Sequence, residues 1–598
     1  MLLFLLSILY WKATCEVFSS YEDLRNANKI EDHLVTLLSE YIHNERERLD
    51  TLERFNQHVE NGKDYTDPGD NYISYPTNQF NVIHRFVAYW NNLEKWTKSR
   101  NEDLSSVFRE YKQFFPGQED VDGAIKAIHR LQDIYKIKAS HFSRGDPLVP
   151  EEGSGRGEPL NEKALLLFVK TAYESEQWFK CAGWAQQAYY QIQTLKQYNP
   201  PTSTMWFEIA DYFSYCLYKA GEIQHAIEVT ADILVHYPHD QRILGNLEHF
   251  NIIRKERHIK DQSTSKRSVI SEPLVNLGEV EEEEVEVTFI PKLYPGADET
   301  VLTWEDIEND IQDKFNTNRV RRMKKYRKMC KENPPLTPKM KKQVDGLTCY
   351  YKQNTPRSYL KPIKVEVAWP SPRILLFHDI INDEESDILI GLAKPLLRRA
   401  TVYNKSTGKG ESTENRVSKT AWLYDNLAKD KEQIVRRVNR RMEDATELSH
   451  EYAEPQQVNN YGMGGQYEPH YDMSTLYGQE VQKRNPTVSG NITATMLDRT
   501  ATILVYLREP DAGGATIFTD SGARLVAKKN SAAFWYNILP NGDPDLITRH
   551  AGCPVLAGTK WVMNKWFHHN DQIFTRPCDV QQFKREKESK LYNGKYTV

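Results

Sequence analysis

Beyond its first ten residues, the 598-residue chain has no apolar run approaching the roughly 20 residues that a membrane helix requires. A charge excess of either sign is also missing. Lys and Arg number 78 and Asp and Glu 83, leaving a net charge of −5, which argues against a general nucleic-acid binder. The last residues, Gly594-Lys595-Tyr596-Thr597-Val598, carry no retention tetrapeptide, so a luminal resident with this ending has to be held by a partner or be secreted. Cysteine is scarce, at seven. Met1 to Tyr10 is apolar but too short to span a bilayer, and it reads as a secretory signal over residues 1–15, although no basic residue precedes the apolar run. With Cys15 removed, six cysteines permit up to three bridges in an oxidising compartment, and the mature chain is expected to be soluble. Asn404-Lys405-Ser406 and Asn491-Ile492-Thr493 are then glycosylation acceptors.

The length calls for three or four domains. Residues 28–140 look helical: Ile30, Leu34, Leu37 and Tyr41 recur at three-to-four spacing, and Leu49, Leu52, Phe55 and Val59 continue in a shifted phase. That pattern suits an amphipathic helix packed in its own domain and a dimerising coiled coil equally well. Gly145 to Gly157, with Pro147, Pro150 and Pro159, marks a linker. Helical segments follow near 161–178, 180–197, 204–220 and 223–237. In the last two, Gly221, Ala226 and Pro238 take the turn, packing and stop positions of a tetratricopeptide unit. Tyr212, Tyr215 and Tyr218 recur every third residue. They are either core aromatics of the repeat or a phenolic stripe suited to an extended proline-rich peptide. The acidic run Glu279 to Glu286 reads as a solvated linker, and the basic run Arg319 to Lys328 as a solvated helix face. From Val365 onward β-type segments dominate (374–377, 502–507, 532–536 and 561–563), with short helices near 383–397 and 427–447. This order suits a jelly-roll barrel.

His470-Tyr471-Asp472 and His550 carry the chemistry. Two histidines and a carboxylate are the ligand set of a mononuclear iron(II) oxygenase and leave three open positions on the metal. Residues i and i+2 of a strand share a face, so His470 and Asp472 can grip one ion, while His550 enters from a second strand. Lys560, ten residues further on, would point into the barrel and anchor the distal carboxylate of a keto diacid such as 2-oxoglutarate. A buried ammonium is costly without such a partner.

The stretches Gln457 to Asp472 and Thr548 to Trp566 resemble the iron-binding strands of the collagen prolyl 4-hydroxylase α subunits, and the resemblance extends over nearly the whole chain. It implies a multidomain α+β protein: a helical dimerisation region (16–142), a tetratricopeptide-like peptide-binding domain (158–255), a charged linker (256–345), a double-stranded β-helix oxygenase domain (346–578) and a charged tail (579–598). It implies proline hydroxylation at carbon 4 before glycine, with iron(II), 2-oxoglutarate, oxygen and ascorbate, giving succinate and carbon dioxide. Tyr461 is expected to donate to the co-substrate carboxylate, and His568 matches a further family histidine near the co-substrate. Arg242 and Asn246 are candidate donors to the peptide backbone. The resemblance pairs Cys330 with Cys349 and Cys553 with Cys578, which spacing alone does not, while Cys181 and Cys216 are expected as buried thiols. It also implies protein disulfide isomerase as β subunit in an α2β2 tetramer in the endoplasmic reticulum lumen. Two rivals remain: a barrel oxygenase acting on lysine or on a regulatory protein's proline, and a scaffold carrying an inactive barrel. The tyrosine-bearing repeat weighs against the first, and the intact ligand set against the second.

Overall fold

The computed structural model describes residues 20–44, 49–61, 72–91, 108–148, 156–195, 203–264, 318–336, 338–404, 409–411, 415–427, 433–473, 499–540 and 544–569, with a few isolated positions besides. The acidic run 279–286, Asn491 and Cys578 lie outside them. Contacts divide the chain into two compact units. One comprises 1–136, 147–158 and 315–598, and the other 137–146 and 159–314. Among the described residues no helix is long and apolar enough to cross a membrane.

In the smaller unit, helices Glu162–Glu174, Trp178–Thr194, Thr204–Ala220, Ile223–His236 and Gln241–Thr264 pack each on the next. The Asn161 side chain accepts from the Ala164 N–H and that of Ser203 from the Trp206 N–H, which satisfies donors that a helix start leaves open. Gly221, at φ 96°, closes the third helix in the left-handed conformation that favours glycine. Ala185, Ala210 and Ala226 are fully buried, and their small side chains let the helices come close. Cys181 and Cys216, expected as thiols, form a disulfide between the second and third helices of this series. The final helix runs well past the expected end of the repeat, into the stretch read as linker.

In the larger unit, one antiparallel sheet has the order Cys349–Lys352, Ile363–Pro370, Arg373–His378, Ala532–Tyr536, Arg499–Arg508, Lys560–His568, Gln456–Tyr461, Lys419–Leu423, Arg398–Arg399. A smaller sheet has the order Arg524–Leu525, Thr516–Phe518, His550–Gly552, Tyr467–His470. Alternation along the strands sorts their side chains into two layers. Ile503, Val505, Met563 and Phe567 face the helices Asp383–Ala393 and Ile434–Thr446, joining Leu389, Ile390, Val435 and Met442 in one apolar cluster. Leu504, Tyr506 and Val562 face the other way, into a second cluster with Phe518 and Leu525 of the smaller sheet. This is the expected jelly-roll interior.

The N-terminal helices belong to the same compact unit as these sheets. Helix Tyr21–Asn44 buries Leu24, Ile30, Leu34 and Leu38, and Leu52, Phe55 and Val59 of Leu49–Asn61 are buried too. Of the apolar face read from the sequence, Ile30, Leu34, Leu52, Phe55 and Val59 are therefore covered within the chain and Leu37 is half-buried, while the side chains of Tyr41 and Leu49 lie outside those described. Glu31 adds a buried ion pair with Arg85 at 2.7 Å. Asp23 pairs with Lys419 of the larger sheet, both side chains being nearly inaccessible, and Glu22 pairs with Lys394 at 2.9 Å.

The basic run is a helix, Asn318–Lys331, but not wholly a solvated one. Tyr326, Met329 and Cys330 are buried with Ile517, Ala551 and Cys553. That docking corrects the expected disulfides. Cys330 is bonded to Cys553, and Cys349 is free and exposed. Asn404 ends the first strand of the small hairpin Val402–Asn404 and Lys409–Glu411.

Candidate metal centre and anion pocket

His470 closes the strand Tyr467–His470 and lies directly opposite His550 in the neighbouring strand. Asp472 sits in a bend just past that strand instead of within it. The three side chains nevertheless converge, offering ligand atoms all within 4.8 Å of one another. Asp472 Oδ1 lies 3.6 Å from His470 Nε2, and Asp472 Oδ2 lies 3.6 Å from His550 Nε2.

The orientation of each ligand is fixed from behind. His470 Nδ1 is 2.8 Å from the Glu468 carbonyl and His550 Nδ1 is 3.0 Å from the Thr548 carbonyl, so each Nδ1–H donates to backbone and each Nε2 keeps its lone pair for a metal. Burial pushes the His550 imidazole down to about 4, which keeps it neutral and able to ligate at physiological pH. Burial opposes ionisation of Asp472, yet its carboxyl is held below the usual carboxylate range, with the Arg499 cation among the causes. Asp472 Oδ2 accepts from the Thr502 hydroxyl at 2.7 Å and from the Trp566 indole N–H at 3.0 Å. Asn537 donates in turn to Thr502 at 2.9 Å. The donor set of two imidazole nitrogens and one carboxylate, braced from behind, fits iron(II). Thr502→Ala removes one support without touching a ligand. It is expected to weaken metal binding by about 10- to 100-fold, measured by equilibrium dialysis.

Lys560 opens the strand Lys560–His568 and faces Tyr461 across the ladder. It is 3% exposed, and its ammonium has no hydrogen bond or ion pair among the described residues. Its ammonium lies 5.7 Å from the centres of both the Tyr461 and Tyr506 rings. Burial alone drives this amine down to about 7. A buried cation held only between aromatic faces is a site waiting for an anion. Burial also raises the Tyr461 phenol and takes that of Tyr506 up to about 12, so both remain neutral hydroxyls. The Tyr506 hydroxyl donates to Thr516 at 3.0 Å.

His568 does not join this pocket. It closes the strand that Lys560 opens, eight residues on and on the order of 25 Å along the chain. There its Nε2 is 3.3 Å from Glu454, which also binds Arg499. Arg499 lies 3.8 Å from the centre of the Trp566 ring and donates to the Asp472 carbonyl at 3.5 Å. Among the described residues, His568 is linked to the metal side through Glu454 and Arg499.

Sequence reasoning missed several neighbours. Tyr467 stacks on His470 with ring centres 3.5 Å apart, and Arg416 lies 4.8 Å over the Tyr467 ring. Arg416 is buried and donates to Gln457 and Asn459, each at 2.8 Å. No local pattern in Asn415-Arg416-Val417 marks it. Trp566 and Thr502 had a usable signal, because alternation from Lys560 and from Leu504 places them on the barrel's inner face.

In the helical unit, Tyr212, Tyr215 and Tyr218 are half-buried and not core residues. Tyr173 and Trp178 extend the aromatic surface: Tyr173 lies 5.1 Å from Tyr212 and 5.7 Å from Tyr215, and Trp178 lies 6.2 Å from Tyr215. Tyr218 stacks on Phe250 at 4.6 Å, and its hydroxyl is 2.8 Å from His249. Arg242 is exposed and donates to Asp211 at 2.8 Å, one turn along the tyrosine helix. Asn246 is half-buried, one turn beyond Arg242 on the same helix, Gln241–Thr264.

Three family models match the chain. These are the N-terminal region of the prolyl 4-hydroxylase alpha-subunit over residues 20–147, the prolyl 4-hydroxylase peptide-substrate-binding domain over 165–256, and the 2OG-Fe(II) oxygenase superfamily over 456–568. Among curated relatives, prolyl 4-hydroxylase subunit alpha-2 of Caenorhabditis elegans is 33% identical over 97% of this chain and 96% of its own length. The alpha-2 subunit of Gallus gallus is 34% identical over 96% of this chain and 97% of its own. The alpha-1 subunit of Homo sapiens is 33% identical over 94% of this chain and 96% of its own.

Proposed function

We propose a reaction for this chain from one premise: it belongs to the prolyl 4-hydroxylase α-subunit family. The chain is an iron(II)- and 2-oxoglutarate-dependent dioxygenase. It hydroxylates proline at carbon 4 in X-Pro-Gly sequences of procollagen-like chains. The observation that carries this reading is the convergence of His470, Asp472 and His550 on one point, in a barrel that also buries the unpaired ammonium of Lys560. Iron(II) with 2-oxoglutarate and oxygen supplies the oxidising power, yielding succinate and carbon dioxide, and ascorbate keeps the metal reduced.

The chain's own residues bind, orient and exclude. His470, Asp472 and His550 would hold the iron through two imidazole nitrogens and a carboxylate oxygen, a set of three protein ligands that would leave room for co-substrate and oxygen. Lys560 takes the distal carboxylate of 2-oxoglutarate, and Tyr461 and Tyr506 wall that end against water. Tyr467 steadies the His470 ring and the indole of Trp566 the Asp472 carboxylate, so the reacting carbon meets a site of fixed geometry.

Substrate capture falls to the helical domain. Tyr212, Tyr215 and Tyr218, extended by Tyr173 and Trp178, offer flat faces and hydroxyls to a polyproline-type peptide, with Arg242 and Asn246 donating to its backbone. The domain limits we propose are 16–142, 158–255, 256–345 and 346–578. The chain works as a subunit, with protein disulfide isomerase as β partner in an α2β2 tetramer of the endoplasmic reticulum lumen, where Asn404 and Asn491 are glycosylated.

Peptide-dependent succinate formation from 2-oxoglutarate on poly(Gly-X-Pro) peptides, with the partner co-expressed, tests the reading. Turnover with 4-hydroxyproline in the product is expected, and hydroxylysine or no turnover refutes it. Tyr218→Ala is expected to raise KM for long peptides by about tenfold, through the loss of one aromatic contact, and to leave short tripeptides unaffected.

A further inference from the structure

Two turns flank the Lys560–Tyr461 pair: residues 462–465 follow Tyr461, and residues 557–559 precede Lys560. The N-terminal helices hold both. Gln79, 1% exposed, accepts the Met463 N–H at 3.1 Å while its amide donates to the Ile73 carbonyl at 2.7 Å. Arg130 Nε donates to the Gly464 carbonyl at 3.0 Å. Gly464 is left-handed, at φ +59°, and packs so closely that a Cβ there would stand 2.9 Å from the Cβ of Ala127. On the second turn, the Gly558 N–H donates to the Ser74 carbonyl at 2.7 Å. A buried relay joins the two turns. The Ser20 hydroxyl donates to Asn460 at 3.0 Å, the Asn460 amide to the Thr559 hydroxyl at 3.0 Å, and Thr559 to the Tyr461 carbonyl at 3.3 Å.

Apart from the Gln79–Ile73 bond, which braces Gln79 itself, each of these contacts meets the backbone or a side chain within four residues of Lys560 or Tyr461 along the chain. An anchor for a small dicarboxylate tolerates little displacement, since its ammonium has to meet a carboxylate whose other end is fixed at the metal. Backbone groups buried at these turns would be left unsatisfied if the N-terminal helices moved away. We propose that Ser20, Gln79 and Arg130 are positioning residues for the 2-oxoglutarate anchor, so that docking of the N-terminal helices and affinity for the co-substrate are coupled. The inference rests on Lys560 being that anchor. Coupling of this kind is reciprocal: 2-oxoglutarate tightens the docking that the helices use to shape its pocket.

The test compares Arg130→Ala, Gln79→Ala and Ser20→Ala with the parent and with Lys560→Ala, all as assembled holoenzyme. KM for 2-oxoglutarate, KM for the peptide and kcat are measured separately. The three N-terminal variants are expected to raise KM for 2-oxoglutarate on the order of five- to twentyfold, with peptide KM within about twofold of the parent. Arg130→Lys, which keeps a donor for Gly464, restores most of the affinity. If Gln79→Ala does not assemble, Ser20→Ala, the loss of a single oxygen, carries the comparison. An unchanged KM for 2-oxoglutarate in these variants, while Lys560→Ala raises it, overturns the inference and leaves the anchor standing. Equal shifts in both KM values, with a fall in melting temperature, overturn it as well, because a general loss of structure would produce them. An unchanged KM in Lys560→Ala removes the anchor and the inference together.

Discussion

His550→Ala is expected to lower hydroxylation more than a thousandfold, to the assay background, and to leave the protein folded with little bound iron. In the proposed centre the side chain is one of three ligands and supplies one of the two nitrogens. Its loss leaves the buried Asp472 carboxylate facing a single imidazole and a void, and water filling that void cannot reproduce a neutral nitrogen donor held by the Thr548 carbonyl. His550 also packs against Trp535 and Phe518, with ring centres at 4.8 and 5.6 Å, so some stability is lost too. Removing a buried aromatic-sized group from such a site costs about 2–4 kcal/mol, which a domain of this size survives. The discriminating measurement is peptide-dependent succinate formation alongside bound iron and melting temperature. Full activity in the variant would refute the metal assignment.

Lys560→Ala acts on a different quantity. The lost charge-assisted contact to a carboxylate beside a buried amine is worth about 3 kcal/mol, so KM for 2-oxoglutarate is expected to rise on the order of 100-fold. Iron binding and peptide KM stay close to the parent, since Lys560 touches neither. The same amine sets a pH dependence. Burial lowers it to about 7 in the free site, so above that pH the empty pocket holds a neutral amine. The dicarboxylate favours the ammonium form, and binding above pH 7 therefore takes up a proton. KM for 2-oxoglutarate is expected to be flat below pH 7 and to climb by up to about tenfold per pH unit above it. In Lys560→Ala the slope disappears. A slope that persists in the variant would assign the titration elsewhere.

The metal centre was legible because its information is local. His470 and Asp472 are two residues apart, and Lys560 follows His550 at a short interval within one β-rich stretch. The barrel and its covering helices were legible from periodicity, and the strands expected at 502–507 and 532–536 lie within or match Arg499–Arg508 and Ala532–Tyr536. What escaped depends on distant contacts. Arg416 reaches the His470 side of the site over the Tyr467 ring, and nothing beside it in sequence requires that. His568 matches a family position, yet strand geometry carries it to the far end from Lys560. The Cys330–Cys553 bond joins residues 223 apart, a choice set by where helix Asn318–Lys331 docks. The N-terminal helices gave their apolar face but not its partner, because amphipathic spacing says that a face is buried and not what buries it.

Anaerobic equilibrium binding of iron(II) and 2-oxoglutarate to the holoenzyme tests the central claim most directly. One iron and one 2-oxoglutarate per chain are predicted for the parent, neither for His550→Ala, and iron without 2-oxoglutarate for Lys560→Ala at co-substrate levels that saturate the parent. Iron retained at full stoichiometry in His550→Ala, or 2-oxoglutarate bound as tightly by Lys560→Ala as by the parent, would contradict it.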